Sequence, residues 1–65
     1  MRIELNGEAR ELDVANVAEL IAQLGLSGRR VAVELNGEVV PKSRHAVQPL
    51  QPGDRVELVH ALGGG

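Results

Sequence analysis

Two Asn-Gly pairs, at positions 6–7 and 36–37, constrain the fold of this chain more than any other sequence feature. Both central residues of a type I′ turn take positive φ, a conformation that asparagine and glycine adopt more readily than other residues. Each pair follows a stretch of alternating apolar and polar residues, over 1–5 and 31–35. Such alternation is typical of half-buried β-strands. The sequence therefore predicts two β-hairpins.

The return strand of the first hairpin is predicted over 8–14, with Leu12 and Val14 inward, and that of the second over 38–40. Between the hairpins, Asn16 and Glu19 have the spacing of a capping box, with the asparagine accepting from a helix amide and the glutamate reaching back. Four apolar residues then recur with helical spacing: Val17, Leu20, Ile21 and Leu24. With Gly25 as a stop signal, we predict a helix of about eight or nine residues, marginal unless it packs on a sheet.

A last strand is predicted over 55–61, after the turn residues 52–54. Its alternation places Val56 and Leu58 inward, and Val59 and Ala61 on the opposite face. The preceding segment, 41–46, is expected to form a loop or a helical turn because Pro41 ends the strand before it. One helix closing one layer of sheet is the simplest solution for this order of elements, so we predict an α+β roll.

The chain has 65 residues and contains neither cysteine nor an aromatic residue. This length suits one small domain, whose core must be built from aliphatic side chains. Disulfides, thiolate zinc sites and thiol nucleophiles are all excluded by the lack of cysteine. The domain must therefore be stabilised by aliphatic packing alone.

The formal net charge is −2, and the basic residues are scattered except at 29–30 and 42–44. Without a concentrated basic face or stacking aromatics, nucleic-acid binding is not expected. No apolar run approaches a membrane span and the first residues do not resemble a signal peptide, so we expect a cytoplasmic protein with no membrane contact. The two basic clusters are most simply solvated charges, with a contact patch for an acidic partner as the alternative.

Side-chain catalysis and metal binding are not expected. Ser27 and Ser43 are the remaining conventional nucleophiles, and a hydrolase would need one of them beside His45 or His60 with an orienting carboxylate and an oxyanion hole. The two histidines are distant in sequence and have no third ligand at a usual spacing, so no metal site is predicted.

The sequence ends in three glycines, Gly63, Gly64 and Gly65. Because glycine has no Cβ, the walls of another protein can approach its backbone closely. Fully extended, three residues reach about 10 Å, far enough to bring a terminal carboxylate into a partner's pocket. A short glycine terminus also occurs as an inert, frayed chain end. Because no side-chain nucleophile is apparent, the carboxylate becomes the candidate reactive group, once adenylation has given it a good leaving group.

Several segments together form a recognisable pattern: the first Asn-Gly hairpin, the short capped helix, 31–41, Ser43, 45–46, 52–54, 56–57 and the terminal Gly64-Gly65. Over essentially its whole length the chain resembles the ThiS family of sulfur carriers in thiamine biosynthesis. The most specific elements are the 36–41 stretch, the Gly-Asp turn and the diglycine end in combination.

The resemblance implies a β-grasp, ubiquitin-like roll in which a mixed sheet of four to five strands packs on one helix. It implies a β-grasp domain over 1–62 and a flexible glycine tail over 63–65. It also implies a sulfur carrier without enzymatic activity or a bound cofactor. A ThiF-like adenylyltransferase would use ATP to activate the carboxylate of Gly65, with Gly64 as its required thin neighbour and Gly63 extending the tail.

In this family a cysteine desulfurase or another persulfide donor supplies sulfur, and the resulting thiocarboxylate passes it to thiazole synthase. Related carriers serve molybdopterin synthesis or tRNA thiolation, and a ubiquitin-like modifier would be conjugated to lysines through Gly65. A non-covalent interaction module is a further alternative. The candidate partner-contact face at the end of the last strand consists of Val59, Ala61 and Leu62.

Overall fold

The computed structural model describes residues 1–60. Over these residues the chain forms, in order, β1 (Arg2–Leu5), β2 (Glu8–Glu11), α1 (Val17–Gln23), β3 (Val31–Leu35), β4 (Glu38–Val40), a 3₁₀ turn (Lys42–Arg44) and β5 (Arg55–His60). The five strands form one sheet in the order β2-β1-β5-β3-β4. β1 and β5 are parallel, and the other neighbours are antiparallel. The predicted α+β class and mixed sheet are confirmed.

Both Asn-Gly pairs form the predicted turns. Asn6 and Asn36 have φ values of 49° and 51°, and Gly7 and Gly37 have φ values of 83° and 86°. The two asparagines are the only non-glycine residues with positive φ in the described part of the chain. Both hairpins therefore begin where the sequence predicts.

β2 is shorter than predicted, ending at Glu11 instead of Val14. One more pair of hydrogen bonds follows the strand. The Leu12 amide donates to the Met1 carbonyl at 2.9 Å, and the Met1 amino group donates to the Leu12 carbonyl at 2.7 Å. The chain then leaves the sheet and turns towards α1. Val14 is still buried and Leu12 is half-buried, so the predicted inward side chains remain part of the core without strand pairing.

The start of α1 has the predicted cap. The Glu19 amide donates to Asn16 Oδ1 at 2.9 Å. The Glu19 carboxylate reaches back, but it accepts from the amide of Ala15, at 2.9 Å, rather than from that of the cap residue. Side chains thus satisfy one first-turn amide that the helix cannot pair internally and the amide of the residue before the cap.

α1 has seven residues, fewer than predicted. Gly25 takes a φ of 75°, its amide donates to the Ala22 carbonyl, and the Leu26 amide donates to the Ile21 carbonyl, each at 3.0 Å. These two bonds form a Schellman motif, which ends the helix before Leu24 and leaves that residue as the C-cap.

The core lies between α1 and one face of the sheet, and it is entirely aliphatic. It comprises Ile3, Leu5, Val14, Val17, Leu20, Ile21, Val33, Val40, Leu50, Val56 and Leu58. Three of the four residues of the predicted helix stripe are buried in it, and Leu24 is partly buried against it. In the part of the chain that the structure describes, no α-helix is long and apolar enough to cross a membrane, since α1 has only seven residues.

Candidate functional site

β5 is the central strand of the sheet and leads directly towards the glycine tail. It pairs with β1 on one side and with β3 on the other. Val59 lies opposite Ala32, and His60, the last described residue, lies opposite Val31. β1 pairs only with Arg55 and Val56, so Val59 and His60 are paired on the β3 side alone. The predicted site residues Ala61, Leu62, Gly63, Gly64 and Gly65 lie outside the described residues.

The side chain of Asn6 extends the pairing between β1 and β5. The Asn6 amide donates to the Val56 carbonyl at 2.9 Å, as a parallel ladder requires. The next bond of that ladder would run from the Leu58 amide to the Asn6 carbonyl, but the amide donates to Asn6 Oδ1 instead, at 2.8 Å. Asn6 Nδ2 in turn donates to the Leu58 carbonyl at 3.2 Å. One side chain thus holds both backbone groups of Leu58.

Asn36 acts in the same way on the other side of β5. Its backbone amide donates to the Arg55 carbonyl at 2.7 Å, and its Oδ1 accepts from the Arg55 amide at 2.9 Å. Its Nδ2 donates to Asp54 Oδ1 at 3.1 Å, and the other carboxylate oxygen of Asp54 accepts from the Gln51 amide at 2.8 Å. Sequence reasoning assigned both asparagines to turns alone, because their partners on β5 are distant in the chain.

Replacing Asn6 with glycine tests this second role, since glycine keeps the positive φ and loses only the side-chain bonds. We expect the free energy of unfolding to fall by about 1–3 kcal/mol, because the part-buried backbone groups of Leu58 lose their partners. Urea titration followed by circular dichroism measures the change. Asn6→Ala should be less stable than Asn6→Gly, because it adds strain at positive φ. A glycine variant as stable as the original chain would contradict the assigned role.

The outer face of the sheet combines an apolar end with an acidic region. Val59 is 69% exposed, as the alternation predicts, and its neighbour on β3, Ala32, is also exposed. Farther from the end of β5, Glu4, Glu34 and Glu57 line a concavity with Arg55. The apolar end is next to the residues that lead into the tail, a position that suits contact with a partner. The role of Val59 in such contact stays a prediction.

Among residues 1–60, no hydrogen bond joins Ser27 or Ser43 to a histidine, although Ser27 and His45 line the same concavity. The Nε2 atom of His45 lies 3.1 Å from the Val40 carbonyl oxygen, so this nitrogen is a donor to the main chain. His60 is the last residue of β5. Its Nδ1 is buried without a hydrogen-bond partner among residues 1–60. Over the same residues, no three histidine or carboxylate side chains converge as metal ligands.

Comparison with known proteins assigns this arrangement to a family. A family model described as the ThiS family matches residues 3–65, almost the whole chain. The chain belongs to the ThiS family. Its structure is similar to the crystal structure of the thiamine biosynthesis protein ThiS from Geobacter metallireducens, with a TM-score of 0.81 and 36% identity over the whole of both chains. This match confirms the predicted β-grasp fold.

Two curated relatives differ in how much of their length this chain covers. The sulfur carrier protein ThiS of Thermus thermophilus is 38% identical over 94% of this chain and 95% of its own length. A thiazole synthase of Paramagnetospirillum magneticum is 42% identical over all of this chain, which spans only 20% of that protein. Sequences of this type therefore occur both as small separate proteins and within larger ones.

Proposed function

We propose that this chain is a sulfur carrier of thiamine biosynthesis, a protein co-substrate on which partner enzymes act. The observation that carries the proposal is the ThiS family match over 3–65, which includes all three tail glycines. The near end-to-end similarity to a carrier from Thermus thermophilus supports it further. The described domain suits this role, because its central strand is fixed from both sides by Asn6 and Asn36.

In the proposed reaction, a ThiF-like adenylyltransferase transfers the AMP group of ATP to the carboxylate of Gly65 and releases pyrophosphate. A cysteine desulfurase or another donor supplies a persulfide, whose terminal sulfur attacks the activated carbonyl. AMP leaves with one carboxylate oxygen, and a thiol then cleaves the acyl disulfide to release the thiocarboxylate. Gly64 and Gly63 contribute a backbone without side chains, which a narrow active site can enclose. The carrier itself binds no cofactor in this scheme.

Thiazole synthase is the proposed sulfur acceptor. A thiazole synthase contains a segment that is 42% identical to this whole chain, which supports a thiazole synthase as the partner. Carriers for tRNA thiolation or molybdopterin would share the tail and the adenylation step but deliver sulfur to a different acceptor. We place the carrier, with its ATP-dependent partner, in the cytoplasm.

Intact-mass measurement tests the carrier role. Residues 1–65 are incubated with the adenylyltransferase, ATP and a persulfide-generating desulfurase, and we expect replacement of one oxygen by sulfur, located at Gly65 by fragmentation. A reaction without ATP and a chain lacking Gly65 are the controls, and both should keep their original mass. An unchanged mass with partners that thiolate another carrier would contradict the proposal.

Two further measurements separate the alternatives. Transfer of sulfur to purified thiazole synthase, compared with transfer to molybdopterin synthase or tRNA-thiolating enzymes, identifies the acceptor. A protein modifier would instead leave a Gly-Gly remnant on lysines of partner proteins, detectable by peptide mass spectrometry. We expect thiazole formation and no appreciable remnant.

A further inference from the structure

A groove between α1 and the loop after it combines an apolar floor with a basic rim. We call it the helix–loop groove. Its floor is formed by Ile21, Leu26 and Val31, and its rim by Arg29, Arg30 and Lys42. The volume of this open groove is about 400 Å³. The Schellman motif creates this groove, because it turns the chain at Gly25 and brings Leu26 back against the helix.

The charge of the groove is opposite to that of the whole chain. The protein has nine acidic and seven basic side chains outside its histidines, yet three basic residues and no carboxylate line the groove. All three basic side chains are exposed, and within residues 1–60 none of them forms a salt bridge. Three cations together without a counter-charge favour an acidic occupant.

The groove adjoins the end of β5. Val31, on its floor, is the pairing partner of His60, and Arg30 and Val31 also border a shallow depression shared with Val59 and His60. A protein that handles the tail therefore comes close to the basic rim. In contrast, the acidic concavity around Arg55 lies on the outer face of the sheet.

We propose that the helix–loop groove docks an acidic segment of the protein that adenylates the tail, with carboxylates on the basic rim and an aliphatic side chain on the floor. The identity of this partner rests on the proposed function. The apolar floor favours a peptide segment over a free inorganic anion, because phosphate would leave Leu26 and Val31 uncovered. A nucleic acid is not favoured, since the groove offers no aromatic side chain for stacking.

A matched pair of charge-reversed variants tests the location of the site. Arg30→Glu/Lys42→Glu reverses two charges on the rim. Arg10→Glu/Arg44→Glu makes the same change in net charge at exposed positions outside the groove, and Arg44 belongs to the same 3₁₀ turn as Lys42 but borders a different surface. Because net charge is matched, only the position of the reversed charges distinguishes the two variants.

Pyrophosphate exchange by the adenylyltransferase gives the first readout. We expect the rim variant to raise the KM for the carrier about tenfold at low salt, with kcat unchanged, and the difference to shrink as salt screens the contacts. The control variant should keep a KM near the original value. Equal effects of the two variants would overturn the proposal, and unfolding midpoints show whether each variant is folded. If a reversed-charge variant does not fold, Arg30→Ala and Arg10→Ala replace the pair.

Nuclear magnetic resonance gives a readout that does not depend on the proposed function. The full chain, labelled with nitrogen-15, is titrated with a peptide of alternating glutamate and leucine, with a glutamine-for-glutamate peptide and with inorganic phosphate. We expect shifts of the amides over 26–31 and 42–45 with the glutamate peptide alone. No localised shift, or the same shifts with phosphate, would overturn the docking site. An adenylyltransferase inactive on the original chain would contradict the carrier role, and the peptide result would then decide on the groove alone.

Discussion

Replacing Leu20 with alanine is expected to lower the free energy of unfolding by about 2–5 kcal/mol. Leu20 is completely buried at the centre of the helix stripe, and it packs in a core that has no aromatic side chain to fill a cavity. Small domains have total stabilities towards the lower end of about 5–15 kcal/mol, so this single change removes a large part of the total. Urea unfolding monitored by circular dichroism measures the loss.

Leu24→Ala is the matched control for this variant. It removes the same atoms one helical turn later, but from a side chain that is only partly buried and follows the last helical residue. We expect a clearly smaller loss of stability, because part of the leucine side chain already contacts water. Equal unfolding midpoints for the two variants would contradict the placement of Leu20 in the core and of Leu24 at its edge.

Replacing Gly64 with valine is expected to lower the rate of thiocarboxylate formation by about a hundredfold or more. A branched side chain next to the reacting carboxylate restricts the backbone and prevents close approach of the adenylating enzyme's walls. Single-turnover reactions followed by intact mass measure the rate. This expectation depends on the proposed function, whereas the stability predictions for Leu20 and Asn6 do not.

Gly63→Val is the control for the tail. The same side chain is placed one residue farther from the carboxylate, outside the terminal Gly64-Gly65 pair, and we expect a smaller decrease in rate. Unfolding midpoints of both variants should match that of the original chain. Thiocarboxylation of Gly64→Val at the original rate would contradict the requirement for a thin tail.

The elements that the sequence predicted well depend on short-range chemistry. The turn at Asn6 follows from two adjacent residues that tolerate positive φ, and the cap at Asn16 from a three-residue spacing. The extents of β2 and α1 were overestimated, because each ends where a tertiary or terminal hydrogen-bond arrangement replaces the regular one. Leu12 pairs only with Met1 before the chain leaves the sheet, and Gly25 closes the helix early.

Some features of the candidate site could likewise be predicted from the sequence, and others could not. Exposure of Val59 follows from strand alternation, so it could be predicted from the sequence. The use of Asn6 to hold Leu58 could not, because the partners are 52 residues apart and the residue also satisfies a local turn signal. The basic residues of the helix–loop groove belong to the two clusters, 29–30 and 42–44, that were predicted as solvated charges, with a contact patch for an acidic partner as the alternative.

The sequence by itself determined the local conformations, the aliphatic character of the core and the family pattern that ends in three glycines. Each of these is set by neighbouring residues or by residue type. Only the tertiary structure decided that β5 lies at the centre of the sheet, that two turn asparagines complete its pairing and that three cations share one apolar groove. These arrangements depend on strand order and helix termination, which bring together residues that no local pattern connects.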